Sequence, residues 1–101
     1  MTHREPYSLI LLEPGDDAAI AVRDLERGSY RTSSGDDLWV TEPVGLGHKV
    51  AVRDIARGRA VKRYGMSIGS AVADIPRGAW IHTHNLASDY LATFAHRGGE
   101  R

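Results

Sequence analysis

The chain has 101 residues, 42% hydrophobic and 26% charged, which suits one soluble domain with one modest core. Its 13 basic and 13 acidic residues cancel, so no net charge pulls it toward nucleic acid or an anionic membrane. It has no cysteine, which excludes disulfides and thiolate metal sites. The first apolar run, LILL at 9–12, is too short for a signal-peptide core or a membrane span. These features give the expectation of a cytoplasmic protein.

Short apolar segments with β-branched and aromatic residues, punctuated by Gly, Pro and Asp, predict strands. Taken in order they cover residues 7–12, 18–23, 38–41, 47–53, 60–64, 70–73 and 80–84. Between the second and third, ERGSYRTSSGDD at 26–37 reads as a strand end and a polar loop. YGMSIG, at 64–69, has two glycines around a short apolar tip, the mark of a tight bend where backbone comes close to something. After the last strand, Ser88 suits a helix N-cap and Asp89 the first turn. Tyr90, Leu91, Phe94 and Ala95 then form a helical stripe. The expected organisation is mostly β, a single domain over 1–86 with a short C-terminal helix and frayed tail over 87–101.

Three copies of one pattern run through this framework. AVRDLERG opens at Ala21, AVRDIARG at Ala51 and AVADIPRG at Ala71. Each has an apolar lead-in, an Asp, an aliphatic residue, two variable residues and a Gly. Asp24, Asp54 and Asp74 can accept hydrogen bonds from backbone N–H groups further along, as in an Asx turn or a short cap. Leu25, Ile55 and Ile75 would tuck each turn onto the core, and Gly28, Gly58 and Gly78 permit positive φ. Arg27, Arg57 and Arg77 are expected in solvent. Turn chemistry explains all three Asp residues at once, which catalysis does not. The copies start 30 and then 20 residues apart, too uneven for a solenoid, so they are read as corners of one compact β structure.

Chemistry is expected on GAWIHTHNL, at 78–86. Strand alternation puts His82 and His84 on one face with Trp80, the imidazoles about 6.5–7 Å apart along the strand. Such a pair can act as acid and base or as two metal ligands, since imidazole exchanges protons near neutral pH. Asn85 adds a donor and an acceptor at the strand end. An H-x-H pair is also common on ordinary exposed strands, and a full metal site needs three or four ligands. In GLGHKV, Lys49 is a flexible point charge suited to a carboxylate, with His48 beside it; a solvated lysine at a strand start is the plain alternative.

Residues 47–86, GHKVAVRDIARGRAVKRYGMSIGSAVADIPRGAWIHTHNL, resemble the SAF domain of the altronate/galactarate dehydratase family, also called the UxaA family. The ordered set of short motifs carries the likeness, and the upstream AAIAVRDLERG resembles the family's N-terminal segment. The resemblance implies a β-clip fold. It also implies a role in eliminating water from sugar acids such as altronate or galactarate, with a related branch that eliminates sulfite from sulfolactate. On that reading the chain is the small subunit of a two-part hydro-lyase, inactive alone, assembled with a separate large catalytic chain. A divalent metal, often iron(II) in relatives, would be held mainly by the large chain. His82 and His84 would be catalytic, or would lend ligands to that metal, and His48, Lys49 and Asn85 would bind or orient the substrate. The alternatives are a non-catalytic carbohydrate- or acid-binding SAF module, the small subunit of a sulfolactate sulfo-lyase, and a purely structural subunit.

Overall fold

A computed structural model describes residues 7–88. They form nine short strands: β1 (Leu9–Ile10), β2 (Ala18–Ala21), β3 (Gly28–Arg31), β4 (Asp37–Val40), β5 (Lys49–Ala51), β6 (Ala60–Arg63), β7 (Met66–Ala71), β8 (Trp80–Ile81) and β9 (Leu86–Ser88). They build a four-stranded sheet in the order β1-β2-β5-β8, a hairpin β3-β4 and a three-stranded sheet β6-β7-β9. Every strand pair in these sheets is antiparallel. The mostly β expectation holds, as a β-rich domain with no helix among the described residues.

The three repeats are the corners of this structure, but their carboxylates reach across rather than along the chain. Ile55 and Ile75 exchange both backbone hydrogen bonds, each N–H to the other's carbonyl at 2.8 Å. On either side, Asp54 Oδ1 accepts from Arg77 N at 2.8 Å and Asp74 Oδ1 accepts from Arg57 N at 2.9 Å. The second and third corners therefore clasp each other. The first corner has a partner that the repeat pattern conceals, VTEPVGLG at 40–47. Leu25 and Val44 exchange backbone bonds of 2.8 and 2.9 Å, and Asp24 Oδ1 accepts from Leu46 N at 2.8 Å. Pro43 stands where that fourth corner would carry its Asp, so no carboxylate returns the bond. The domain is thus two similar halves, each a pair of clasped corners with a hairpin between them, β3-β4 in the first and β6-β7 in the second.

The four-stranded sheet is the wall between two cores. Leu9, Ala19, Ala21, Leu25, Leu38, Val40, Val44 and Val50 pack on one side. Ala18, Ala51, Ile55, Val61, Ala71, Ile75, Ile81 and Leu86 pack on the other. Alternate residues of β2 and β5 feed opposite cores, as strand alternation requires, and alanines on this wall let both cores close in. Ile55 and Ile75 are each 1% exposed.

Glycine is required where corners meet other backbone. Gly78 has φ +90°, and a Cβ there would collide with the Trp39 carbonyl oxygen. Gly69 lies so close to β9 that a Cβ would strike the Ala87 carbonyl oxygen, which is the close approach expected of YGMSIG. Only Tyr64 and Gly65 of that segment form the bend, a two-residue loop with φ +58° and +74°. Their N–H groups donate to Asp16 at 2.6 and 2.8 Å, so a buried carboxylate pins the hairpin tip. Met66–Ala71 is strand.

Two further strands lie outside the sequence expectation. β3 takes up four residues of the segment read as a strand end and a polar loop; its pattern of half-buried and exposed residues offers no apolar run. β9 pairs with β7 and ends at Ser88, the residue expected to cap the helix. The remainder of the expected helix lies outside the described residues.

Replacing Ile75 by Ala removes a side chain shared by a clasp and a core, and is expected to cost about 2–5 kcal/mol. Asp74→Ala, which removes one exposed carboxylate–backbone bond, is expected to cost about 1–2 kcal/mol. Urea unfolding followed by circular dichroism measures both, and equal losses would contradict this ranking.

Candidate functional site

β8 is the free edge of the four-stranded sheet, paired with β5 through Lys49 opposite Ile81 and Val50 opposite Trp80. The strand ends at Ile81. His82 to Asn85 form a turn closed by Asn85 N and Leu86 N, which donate to the His82 carbonyl at 3.0 and 2.9 Å. The expected strand through His84 is therefore corrected to a strand and a turn. The cause is Asn85: its Oδ1 accepts from His82 N at 2.9 Å and its Nδ2 donates to the Trp80 carbonyl at 2.8 Å. These bonds curl the chain back before it can extend further. Asn85 is 8% exposed and both ends of its amide are taken up by backbone, so it sits beneath the histidines as a clamp.

His82 and His84 nevertheless share a face, because both rings pack on Trp80. The His82 ring stacks on the indole with centroids 4.5 Å apart, and the His84 ring tilts against it at 5.5 Å. The two imidazoles are 6.3 Å apart. His48 joins from the start of β5, its ring 5.6 Å from Trp80 and 5.8 Å from His82. Trp80 Nε1 donates to His48 Nδ1 at 3.2 Å. The indole can only donate, so Nδ1 of His48 is the acceptor in this bond. Thr83 Oγ1 lies 3.2 Å from His82 Nδ1. The Trp80 backbone N–H is held by Glu42 Oε2 at 3.1 Å. The result is three exposed imidazoles arranged around one indole.

Lys49 lies elsewhere. It shares its face of β5 with the second core, and with Arg63, His82, Thr83 and Ser88 it supplies the polar lining of a cleft of about 280 Å³ whose apolar lining includes Ile68 and Leu86. The sequence places His48 and Lys49 side by side, but the structure puts His48 in the ring cluster and Lys49 in the cleft. His82, at the strand end, belongs to both. Burial holds the Lys49 ammonium below its usual pKa, and the nearby positive charge of Arg63 lowers it further. Arg63 was not among the expected site residues. Its only signal in the sequence is its place just before the Tyr64–Gly65 loop, on the hairpin that forms the far wall.

Among the described residues no three His, Asp or Glu side chains converge as a metal site. His82 and His84 provide two imidazoles, fewer than a closed site requires. No helix among the described residues is long and apolar enough to cross a membrane.

The family described as the altronate/galactarate dehydratase SAF domain matches residues 7–89. The chain belongs to this family. It is 40% identical over 74 residues to the altronate dehydratase of Escherichia coli (strain K12), a match covering 73% of this chain and 15% of that protein. It is 46% identical over 68 residues to the galactarate dehydratase (L-threo-forming) of the same organism, across 65% of this chain and 12% of that enzyme. Identity to the (2R)-sulfolactate sulfo-lyase subunit alpha of Chromohalobacter salexigens is 38% over 84 residues, covering 75% of this chain and 89% of that subunit. The chain thus spans a small part of the dehydratases it matches and most of the sulfo-lyase subunit. It is an SAF domain of the dehydratase and lyase kind.

Two measurements check this geometry. Asn85→Ala in the SAF domain leaves the part-buried His82 N–H without its acceptor and the Trp80 carbonyl without its donor, and should cost about 1–3 kcal/mol while shifting the ring resonances of His82 and His84. Reductive methylation of the lysines, read by carbon NMR, should show Lys49 titrating below the usual 10.5. Arg63→Gln, which removes the repulsion, should move that midpoint upward; a downward or absent shift would contradict the electrostatic assignment.

Proposed function

We propose that the chain is the small subunit of a two-chain hydro-lyase that eliminates water from a 2,3-dihydroxy sugar acid together with a separate, large catalytic chain. The observation that carries this reading is the ring cluster itself. Three imidazoles stand organised around Trp80 on the free edge strand, yet His48, His82 and His84 are all exposed. A proton-transfer surface of this kind becomes effective when a second body covers it and excludes water. The coverage of relatives supports the division: the same domain makes up a small portion of the dehydratases and nearly all of a protein named as a subunit.

The chemistry divides accordingly. Elimination removes a weakly acidic proton next to a carboxylate and expels a hydroxyl from the neighbouring carbon. The departing hydroxyl must be protonated, and a positioned imidazolium does this near neutral pH. His84 and His82 take this part, one as the acid and the other as a hydrogen-bond donor. Lys49 and His48 meet anionic or hydroxyl oxygens of the substrate, and Asn85 fixes the turn that carries both histidines. A divalent metal, taken as iron(II), supplies stabilisation of the developing enolate charge when bound. Its ligands come mainly from the large chain, since no three His, Asp or Glu side chains among the described residues of this chain converge as a metal site.

The 89% coverage of the sulfo-lyase subunit favours a second reading, in which the leaving group is sulfite. Both readings share the test. The tagged chain is recovered from its host, the complex is weighed by native mass spectrometry, and it is assayed with iron(II) against sugar acids and sulfolactate. The expected outcome is a complex with a larger chain that releases water from a sugar acid. His84→Ala should leave that complex assembled and reduce kcat by about 100-fold or more, the scale of a lost general acid. Recovery of the chain alone, or full activity of the variant, would overturn the proposal.

A further inference from the structure

We infer that the cleft between β5, the β6-β7 hairpin and the His82–Asn85 turn is an anion subsite, in which Lys49 and Arg63 hold a carboxylate of the small acid. Lys49 and Arg63 line one cleft from two different elements, β5 and β6. Among the described residues neither forms an ion pair with a carboxylate; the ion pairs there are Arg31–Asp37 and Arg53–Asp17. Two cations brought together without a counter-charge repel each other, and the lowered basicity of Lys49 is partly a measure of that repulsion. An arrangement that costs energy when empty is relieved by an anion between its walls, and Arg offers a planar fork matched to carboxylate.

The remaining lining gives the site a direction. His82 and Thr83 flank the charged pair. His82 also stacks on Trp80 and His48, so it links the cleft to the ring cluster. A carboxylate seated at Lys49 and Arg63 leaves the rest of a short acid to run past His82 toward the exposed imidazoles. This separates binding of the acid group from proton transfer, and it adds Arg63 to the residues that select an acid over a neutral sugar alcohol. The identity of the anion rests on the reading of the chain as part of a sugar-acid lyase; the presence of an anion site rests on the cleft.

The test is a proton–nitrogen NMR titration of the full chain with galactarate. Galactitol serves as the uncharged control, with ionic strength matched by sodium chloride. Galactarate is expected to shift the amide resonances of Lys49, Arg63 and Thr83 in a saturable way, and galactitol is not. Arg63→Gln and Lys49→Gln should each weaken binding by about tenfold, the scale of one charge-assisted contact, with native spectra confirming their fold. Lys62→Gln, which removes an exposed charge from the same hairpin outside the cleft, should leave binding unchanged. Equal shifts with galactitol, no saturable shift, or unchanged affinity in both cleft variants would overturn the subsite. The two proposals fail separately. An active complex whose chain shows no cleft-dependent galactarate binding keeps the lyase reading and loses the subsite, whereas cleft-dependent binding by a chain with no partner keeps the subsite and loses the lyase reading.

Discussion

The clasp between corners is the constraint on which the rest of the domain depends. Ile55 and Ile75 exchange backbone hydrogen bonds, and Asp54 and Asp74 accept from each other's corner on either side. Four hydrogen bonds thus satisfy polar groups at two chain reversals while driving two isoleucines into the core. Buried backbone donors and acceptors must find partners, and here the partner of each corner is another corner. That choice fixes where the β6-β7 hairpin starts and returns. It then delivers the chain to β8 beside β5, bringing Trp80 within reach of His48. The ring cluster is a downstream consequence of turn chemistry in residues that touch none of the rings.

The central sheet shows how a short chain makes two cores. Its strands are two to four residues long and are covered on both sides, so they carry alanines where larger residues would hold the cores apart. Coverage ends at β8, the free edge. Exposed edges invite pairing with other chains and need to be blunted. Here β8 is only two residues long and is followed at once by the turn clamped by Asn85. The same device that stops the strand presents His82 and His84, so termination of the edge and display of the imidazoles are one structural event.

Much of this was legible in the sequence, and the failures have physical causes. The three Asp-aliphatic-Gly copies announced the corners, because only turn chemistry places those residue types at that spacing three times. Their pairing was not legible, since the carboxylates bond to backbone 17 to 23 residues away. The fourth corner escaped notice because Pro43 replaces its Asp. β3 escaped because a strand with half-buried and exposed faces has no apolar period. The grouping of His82, His84 and Trp80 was expected from strand alternation, and it holds for a different reason: stacking on the indole after a turn. Asp16 and Arg63 gave little warning. Each acts through a long-range contact, one with the hairpin tip and the other across a cleft, that no local pattern encodes.

The separation of His48 from Lys49 has a consequence for how such a small domain can serve a reaction. Adjacent residues on a strand face opposite ways, so a site read from sequence neighbours is divided by the sheet itself. The ring cluster lies on the side of Val50 and Trp80, and the cleft lies on the side of Lys49 and Ile81. Groups on opposite faces of a sheet meet only at its edge, where the last strand ends. His82 occupies that point, stacked on Trp80 and lining the cleft with Lys49 and Arg63. In the proposed subsite, a short acid is held by its charge on one side and reaches imidazoles on the other, provided the edge strand stops where it does. The two-residue length of β8, a weakness for sheet pairing, is therefore what brings the ring cluster and the cleft together at one point.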